Sequence, residues 1–267
     1  MQFCSARKRE HFPGDSTYFS GLDHDAVISN LRRDGFTVLG KLFDATTVAR
    51  ILDSVKGLKA YDYLVDKDKL FNVDQLPDGV RTAMFRREDL AEVDEITKIA
   101  NDPKLLSVVQ DYLGAAPLLS NILMWWSYPA GSAIGPQHFH RDVDDFRFLK
   151  LFVYLTDVDE NRGPHVCVKT SHTDSDAGMR ELRRYQDDEI FGRYGNDAVT
   201  TIVGTAGTAL LSDSFGFHKG TPPSTGTRLL LQFQWSLLPI GIENYQPTQR
   251  QPAYPYDREV NRLLIAK

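Results

Sequence analysis

The residues with the clearest chemical potential lie in the run Gln137-His138-Phe139-His140-Arg141-Asp142. His140 and Asp142 are separated by one residue, so on an extended backbone both side chains point the same way. That pair is half of a metal site. A divalent iron takes imidazole and carboxylate donors on one face of an octahedron and keeps the other positions for exchangeable ligands, the two-histidine, one-carboxylate facial triad. The missing donor must come from a distant strand. His218, in the run Ser212-Asp213-Ser214-Phe215-Gly216-Phe217-His218-Lys219-Gly220, is the best candidate. His-x-Asp alone arises by chance in many chains; the second cluster, and Arg228 ten residues after His218, give it weight. A permanently charged guanidinium opening an apolar strand wants a carboxylate partner, and none is obvious in the sequence, so an oxo-acid ligand would supply one.

The elements that must position these groups are helices first and strands after. Asp23 is placed to cap a helix carrying Ala26, Val27, Ile28 and Leu31 that ends before Gly35, and Phe36–Leu39 follows as a short strand. Asp44 starts a second helix with Val48, Ile51, Leu52 and Val55 at helical spacing. Short strands are expected near Leu70–Val73 and Ala83–Phe85, one helix over about Leu90–Ala100, and another from Asp102-Pro103 to Gly114. From Leu118 the texture changes to strands between Gly, Pro and Asp turns, as in a sandwich or jelly-roll. The expected strands are Leu118–Tyr128, Gln137–His140, Phe148–Leu155, Val166–Val168, Val199–Val203, Thr208–Ser212 and Arg228–Leu238. The whole, residues 1–267, is expected to form one α+β domain with a mainly β core. Residues 1–20 are expected as a loose arm or a segment draped on the core. The charged stretch 173–196 is expected to be partly helical and to act as a lid.

Alternation assigns faces. Arg228, Leu230, Gln232, Gln234 and Ser236 share one side of their strand and face the interior of the site, while Leu229, Leu231, Phe233, Trp235 and Leu237 pack toward the helices. Lys150, Phe152 and Tyr154 share a face, which makes Lys150 and Tyr154 candidates for cosubstrate or substrate contact; the alternative for Lys150 is a solvent-facing place at a strand edge. Gln137 sits at the rim of the same site. His138 is a rival ligand, a supporting group or part of the substrate wall, and Gln137 is a candidate for substrate contact. Trp125 is a candidate for the substrate wall, beside Trp126 and Tyr128. Arg147, with Asp144 and Asp145, either gates the mouth or is solvated. His165 and His172 are expected to be structural or surface groups. Ser214, His218 and Asp213 are too close on one stretch to form a nucleophile–base–orienter relay, and no Gly-x-Ser-x-Gly elbow is present.

Composition is that of a soluble globular protein, with 42% hydrophobic and 25% charged residues among 267. No apolar run approaches the roughly 20 residues a transmembrane helix needs. A net charge of −5 argues against a general nucleic-acid binder, and Arg7-Lys8-Arg9 and Arg180 to Arg184 are read as solvated faces. Two cysteines, Cys4 and Cys167, form no disulfide or zinc-finger pattern, and the N-terminus lacks the apolar segment of a secretory signal, so a cytoplasmic location is expected. The oligomeric state is left open.

The order His140-x-Asp142, Phe148 to Val158, Gly163-Pro164, Ser171-His172, His218 and Arg228, with Asp34-Gly35-Phe36-Thr37-Val38-Leu39 before them, resembles the phytanoyl-CoA dioxygenase family of iron(II)- and 2-oxoglutarate-dependent oxygenases over roughly residues 22 to 238. The resemblance implies a double-stranded β-helix with N-terminal helices outside it. It implies His140, Asp142 and His218 as iron ligands and Arg228 as the partner of the distal 2-oxoglutarate carboxylate. It further implies consumption of O2, release of succinate and CO2, and hydroxylation of a small-molecule substrate. Asp142 stands where related halogenases lack the carboxylate, which argues against halogenation. Gly220-Thr221-Pro222-Pro223 departs from the family pattern, in which a serine often helps hold the cosubstrate; Thr221 would replace it. A coenzyme A thioester is not specifically supported, and the pocket residues suggest a small or medium molecule with polar handles. Two other readings stand beside this one: a cupin-like metalloenzyme using His138, His140, Asp144 and His218 without 2-oxoglutarate, and a non-catalytic binding protein on the same scaffold.

Overall fold

A computed structural model describes residues 9–179 and 181–266; Cys4, Arg7, Lys8 and Arg180 lie outside the described residues. α1 (His24–Asp34) is capped by the Asp23 carboxylate, which accepts from the Ala26 amide, and stops at Gly35 with φ 85°. β1 (Phe36–Lys41) follows, then α2 (Ala45–Ser54), capped by Asp44. β2 (Ala60–Asp62), β3 (Asp66–Phe71) and β4 (Thr82–Phe85) extend a sheet edge. The single helix expected over Leu90–Ala100 is two, α3 (Arg87–Ala91) and α4 (Asp94–Ala100). Leu90 and Ile96 are both fully buried; six residues apart, they would diverge by about 120° on one continuous helix, so the break lets both reach the core. α5 (Pro103–Leu113) runs from its Asp102 cap to Gly114 as expected.

The strand-rich half comprises β5 (Leu118–Ser127), β6 (Phe148–Tyr154), β7 (His165–Val168), α6 (Asp187–Tyr194), β8 (Val199–Ile202), β9 (Thr208–Ser212), β10 (His218–Gly220), β11 (Arg228–Ser236) and a short α7 (Arg258–Asn261). Among the described residues they form an antiparallel jelly-roll. Its larger sheet has the order β1-β9-β6-β11-β5-β4-β2-β3, and its smaller sheet the order β10-β7-β8. The expected strand Gln137–His140 is not formed. Gly135–Gln137 is a 3-10 turn with Pro136 in its first positions, and only Phe139 and His140 pair, through isolated bridges to Tyr185 and His218.

The outer face of the larger sheet carries Leu229, Leu231, Phe233 and Trp235, which join Leu31, Ile51, Ile99 and Leu105 of the helices in the main core. The inner face carries the polar Arg228, Gln232, Gln234 and Lys150 alongside a smaller apolar cluster of Leu230, Phe152 and Tyr154. Residues 9–20 are draped rather than loose: Asp102 Oδ2 accepts from Ser16, Thr17 and Tyr18, and Phe19 is fully buried. The stretch 173–196 is also anchored. Tyr185 and Ile190 are fully buried with Phe139, Val166 and Phe217, and the Tyr185 amide donates to Phe139 O at 2.9 Å. Among its described residues none lines the main cavity. The stretch braces the back of the segments bearing His140 and His218. What borders the cavity mouth instead is the β2–β3 hairpin, through Tyr63, Leu64 and Lys67, facing Ile242 and Glu243. The apolar Tyr185 and Ile190, hidden among charges in the sequence, are what turn an expected cover into a brace.

Candidate metal centre and its cavity

His140 and His218 are brought together by backbone pairing. Each amide donates to the other's carbonyl, at 3.0 and 3.1 Å, and the imidazole centroids lie 4.3 Å apart. Two residues on, the Asp142 amide donates to Ser214 O at 2.9 Å, which continues the extended run and puts the carboxylate on the same side. Arg141 points the other way, donating to Phe215 O and Met179 O and lying over the Phe217 ring. The donor atoms of His140, Asp142 and His218 all lie within 4.8 Å of one another. Asp142 Oδ1 is 3.6 Å from His140 Nε2, and Oδ2 is 3.3 Å from His218 Nε2. Adjacent donors about 2.1 Å from a metal sit roughly 3 Å apart, so the spacing suits an ion at their centre.

Tautomers follow from the neighbours. His140 Nδ1 meets His138 O at 2.9 Å and His218 Nδ1 meets Gly216 O at 3.0 Å. A carbonyl only accepts, so both Nδ1 atoms carry a proton, and in the neutral rings it is Nε2 that is left to bind a metal. Burial, reinforced by His218, lowers the His140 pKa to about 3, so that ring stays neutral. Burial works against ionisation of Asp142, yet Lys150 and the two imidazoles hold its carboxyl well below the ordinary range. Lys150 Nζ lies 2.6 Å from Asp142 and 3.3 Å from Asp144. Burial disfavours the Lys150 charge, but the two carboxylates outweigh it and raise its pKa. Two imidazoles with free Nε2 atoms and one ionised carboxylate form a donor set that fits ferrous iron.

The triad opens into a cavity of about 720 Å³ between the two sheets. Arg228, the first residue of β11, lies in its wall and is buried. Its Nη1 donates to Gly163 O and its Nη2 to Ser127 Oγ at 3.1 Å, while Nε has no partner. No carboxylate pairs with it among the described residues, and burial lowers its pKa. Gly163 has φ 74°, and a β-carbon there would stand 2.6 Å from the Thr221 carbonyl, so glycine is what lets this carbonyl approach the guanidinium.

Of the other expected site residues, Trp125, Gln137, Lys150, Gln232 and Gln234 line the cavity. Lys150 is on an inner strand between β9 and β11, not at a solvent-facing edge. Four expectations are corrected. The Tyr154 hydroxyl lies outside the cavity lining, donating to Ile202 O at 2.8 Å and accepting from the His165 amide at 2.9 Å. Thr221 also lies outside it, its hydroxyl donating to Pro164 O at 2.8 Å. Arg147 is exposed and reaches back to Leu113 O, away from the mouth. His138 hydrogen-bonds Ala133 O and does not join the donor cluster, and Asp144 is occupied by Lys150, which removes the cupin-like ligand set.

Several cavity residues went unrecognised in the sequence, His165 and Asn121 among them. His165, expected to be structural, is buried in the wall, its ring 4.6 Å from that of Phe152 and 5.5 Å from that of His218, with Nε2 unpartnered. Burial first, then His218 and Arg228, push its pKa well below the ordinary value. Only its place directly after Gly163-Pro164 hinted at it. Asn121, on β5, also lines the cavity.

The fold and site thus define a jelly-roll with a two-histidine, one-carboxylate centre beside a buried arginine. The phytanoyl-CoA dioxygenase (PhyH) family model matches residues 31–229, and the chain belongs to that family. A curated relative from Stutzerimonas stutzeri, named a probable alpha-ketoglutarate-dependent hypophosphite dioxygenase, is 26% identical over 147 residues. That match covers 52% of this chain and 50% of the relative, so the chain spans about half the relative's length. Among solved structures, the non-heme alpha ketoglutarate dependent carbocyclase SnoK from nogalamycin biosynthesis has a TM-score of 0.61 at 14% identity, covering 83% of this chain and 87% of that one. HygX from Streptomyces hygroscopicus, solved with nickel and 2-oxoglutarate bound, has a TM-score of 0.58 at 17% identity, covering 85% and 92%. These likenesses place the fold. Among the described residues no helix is long and apolar enough to cross a membrane.

Proposed function

We propose that the protein is an iron(II)- and 2-oxoglutarate-dependent oxygenase that hydroxylates a small or medium-sized organic molecule, with succinate and CO2 as co-products. The observation that carries this reading is Arg228, a buried guanidinium with no carboxylate partner among the described residues, set in the same cavity as the His140, Asp142, His218 donor set. The curated relative's printed dependence on alpha-ketoglutarate supports it. The two Nε2 atoms and the Asp142 carboxylate would hold the iron, and Arg228 would pair with the far carboxylate of the oxo-acid in the charge-assisted geometry guanidinium favours. When bound, iron and 2-oxoglutarate supply the activation of oxygen that no side chain here can provide.

The chain's own residues do the positioning. The carbonyls of His138 and Gly216 fix the imidazole tautomers, and Lys150 keeps Asp142 ionised and turned toward the two rings. Phe152 and His165 narrow the cavity beside the triad, while Trp125, Gln137 and Gln232 form wall against which a substrate would lie.

The test is spectroscopic and then chemical. Anaerobic addition of iron(II) and 2-oxoglutarate to pure protein should give a weak visible charge-transfer band, and Arg228→Ala should sharply weaken 2-oxoglutarate binding. No band from reconstituted, folded protein would overturn the reading. A screen for substrate-stimulated succinate release, with product mass reporting the gain of one oxygen atom, then separates hydroxylation from other oxidations.

A further inference from the structure

Three strands of the larger sheet, β5, β11 and β6, lie side by side under the cavity, and their register lines the inward residues up in rows. Ser127 and Arg228 form one row. Trp125, Leu230 and Tyr154 form the next, then Leu123, Gln232 and Phe152, and finally Asn121, Gln234 and Lys150. Arg228 stands at one end. Lys150, in the last row, is the residue that reaches Asp142. The triad thus lies over the last two rows, and an oxo-acid running to it from Arg228 approaches from the first rows, so the side chains of the last two are the ones a substrate beside the metal would meet.

In those two rows three side-chain amides line the cavity: Asn121, Gln232 and Gln234, only 6%, 5% and 1% exposed. Asn121 Oδ1 and Gln234 Nε2 have no hydrogen-bond partner. Buried amide atoms are ordinarily paired, because an unmade bond costs the full desolvation of the group. Asn121 and Gln234 sit opposite each other on neighbouring strands, whose backbones run about 4.8 Å apart, so both amides project from one stretch of the cavity wall and a single planar group can span them.

Charge narrows the chemistry further. Lys150 is already matched by Asp142 and Asp144, and farther out Arg87 is matched by Glu243 at 2.7 Å. With a divalent iron and a doubly negative oxo-acid in place, the charges of Arg228, Lys150, Asp142 and Asp144 cancel with theirs. Of the other lining cations, Arg86 lies 3.8 Å from Asp89 and Lys67 belongs to the hairpin at the mouth, so an anionic substrate group beside Asn121 and Gln234 would meet Lys150 already matched. A group that is neutral, and that offers a donor and an acceptor together, meets both conditions.

We propose that Asn121, Gln234 and Gln232 form the substrate subsite and that it takes a neutral carboxamide-type group, as in a primary amide or lactam, rather than an oxyanion. This rests on the oxygenase reading above, and it sets the chain apart from a relative named for hypophosphite. Gln234 and Asn121 are specificity-determining residues, and the pair rejects a ligand that leaves either of them unmatched.

The test uses anaerobic protein loaded with iron(II) and 2-oxoglutarate, titrated with benzamide, benzoate, acetophenone and hypophosphite. Binding is read from perturbation of the charge-transfer band and from saturation-transfer NMR on zinc(II)-loaded protein. Benzamide should bind at least about tenfold more tightly than the matched anion or the ketone, the discrimination expected where a buried polar pair is left unmet. Gln234→Leu and Asn121→Leu should each erase that preference while the band itself forms as in the wild type, which also reports that the variants fold. Absence of the band in wild-type protein would sink the oxygenase reading itself. A normal band with equal or tighter binding of benzoate or hypophosphite, with no benzamide binding, or with a preference that survives both substitutions, overturns the subsite alone.

Discussion

Two cations are buried under the same cavity, and the chain keeps them in opposite ways. Lys150 is 6% exposed and lies against two carboxylates; Arg228 is 4% exposed and, among the described residues, hydrogen-bonds only the Gly163 carbonyl and the Ser127 hydroxyl. Neutral dipoles orient a guanidinium but leave its charge uncancelled, and an unpaired buried ion carries a penalty of about several kcal/mol. A buried charge with its own counterions is structure: Lys150 steers Asp142 toward the histidines. On the oxygenase reading proposed above, a buried charge without one is half of a binding site, held ready at a cost in stability.

The largest effect expected from breaking this arrangement belongs to Asp142→Ala, which removes a metal donor and the nearer partner of Lys150 together. Iron affinity, measured anaerobically, should fall at least about 100-fold, and succinate release should disappear. Because Asp144 remains with Lys150, the metal-free protein should lose only about 1–3 kcal/mol, read by denaturant melts. Iron binding within a few-fold of wild type would remove Asp142 from the donor set.

Next come the two cations themselves, each replaced by methionine. Arg228→Met should weaken 2-oxoglutarate binding by about 100-fold or more while leaving metal-free stability within about 1 kcal/mol, because the unpaired charge leaves together with its two hydrogen bonds. Lys150→Met should do the reverse. It strands Asp142 and Asp144 without a cation, so the metal-free protein should lose about 2–4 kcal/mol, and the loss should shrink on adding iron, which then neutralises Asp142. If both substitutions shift metal-free stability equally, the contrast between a paired and a waiting charge is wrong.

The same contrast explains what could be seen in the sequence. His140, Asp142 and His218 were legible because two of them share a period-two face and the third sits in a dense polar cluster. Arg228 was legible because a charge opening an apolar strand is conspicuous. The faces of β11 and the caps at Asp23, Asp44 and Asp102 followed from alternation and residue type. His165 was not legible: β7 is four residues long and buried on both faces, so alternation gives no sign of which side holds the cavity. Nor was the pairing state of any group. Lys150 and Arg228 are both cations in strands, and only the fold shows that one has carboxylates beside it. The hydroxyls of Tyr154 and Thr221 had the right chemistry, but in the fold backbone groups from distant segments engage them.

Thr221 therefore supplies the smallest expected effect and the sharpest boundary on the Arg228 end. Its hydroxyl donates to Pro164 O, and its own backbone amide donates to the same carbonyl at 3.0 Å. Valine is nearly the same shape and removes only the hydroxyl. Pro164 O would keep its backbone bond, so Thr221→Val should cost no more than about 1 kcal/mol. The 2-oxoglutarate dissociation constant, titrated through the charge-transfer band, should stay within about threefold of wild type. A tenfold or greater loss would mean that the hydroxyl turns toward the oxo-acid on binding, and Arg228 would no longer be the group that carries the recognition of its carboxylate by itself.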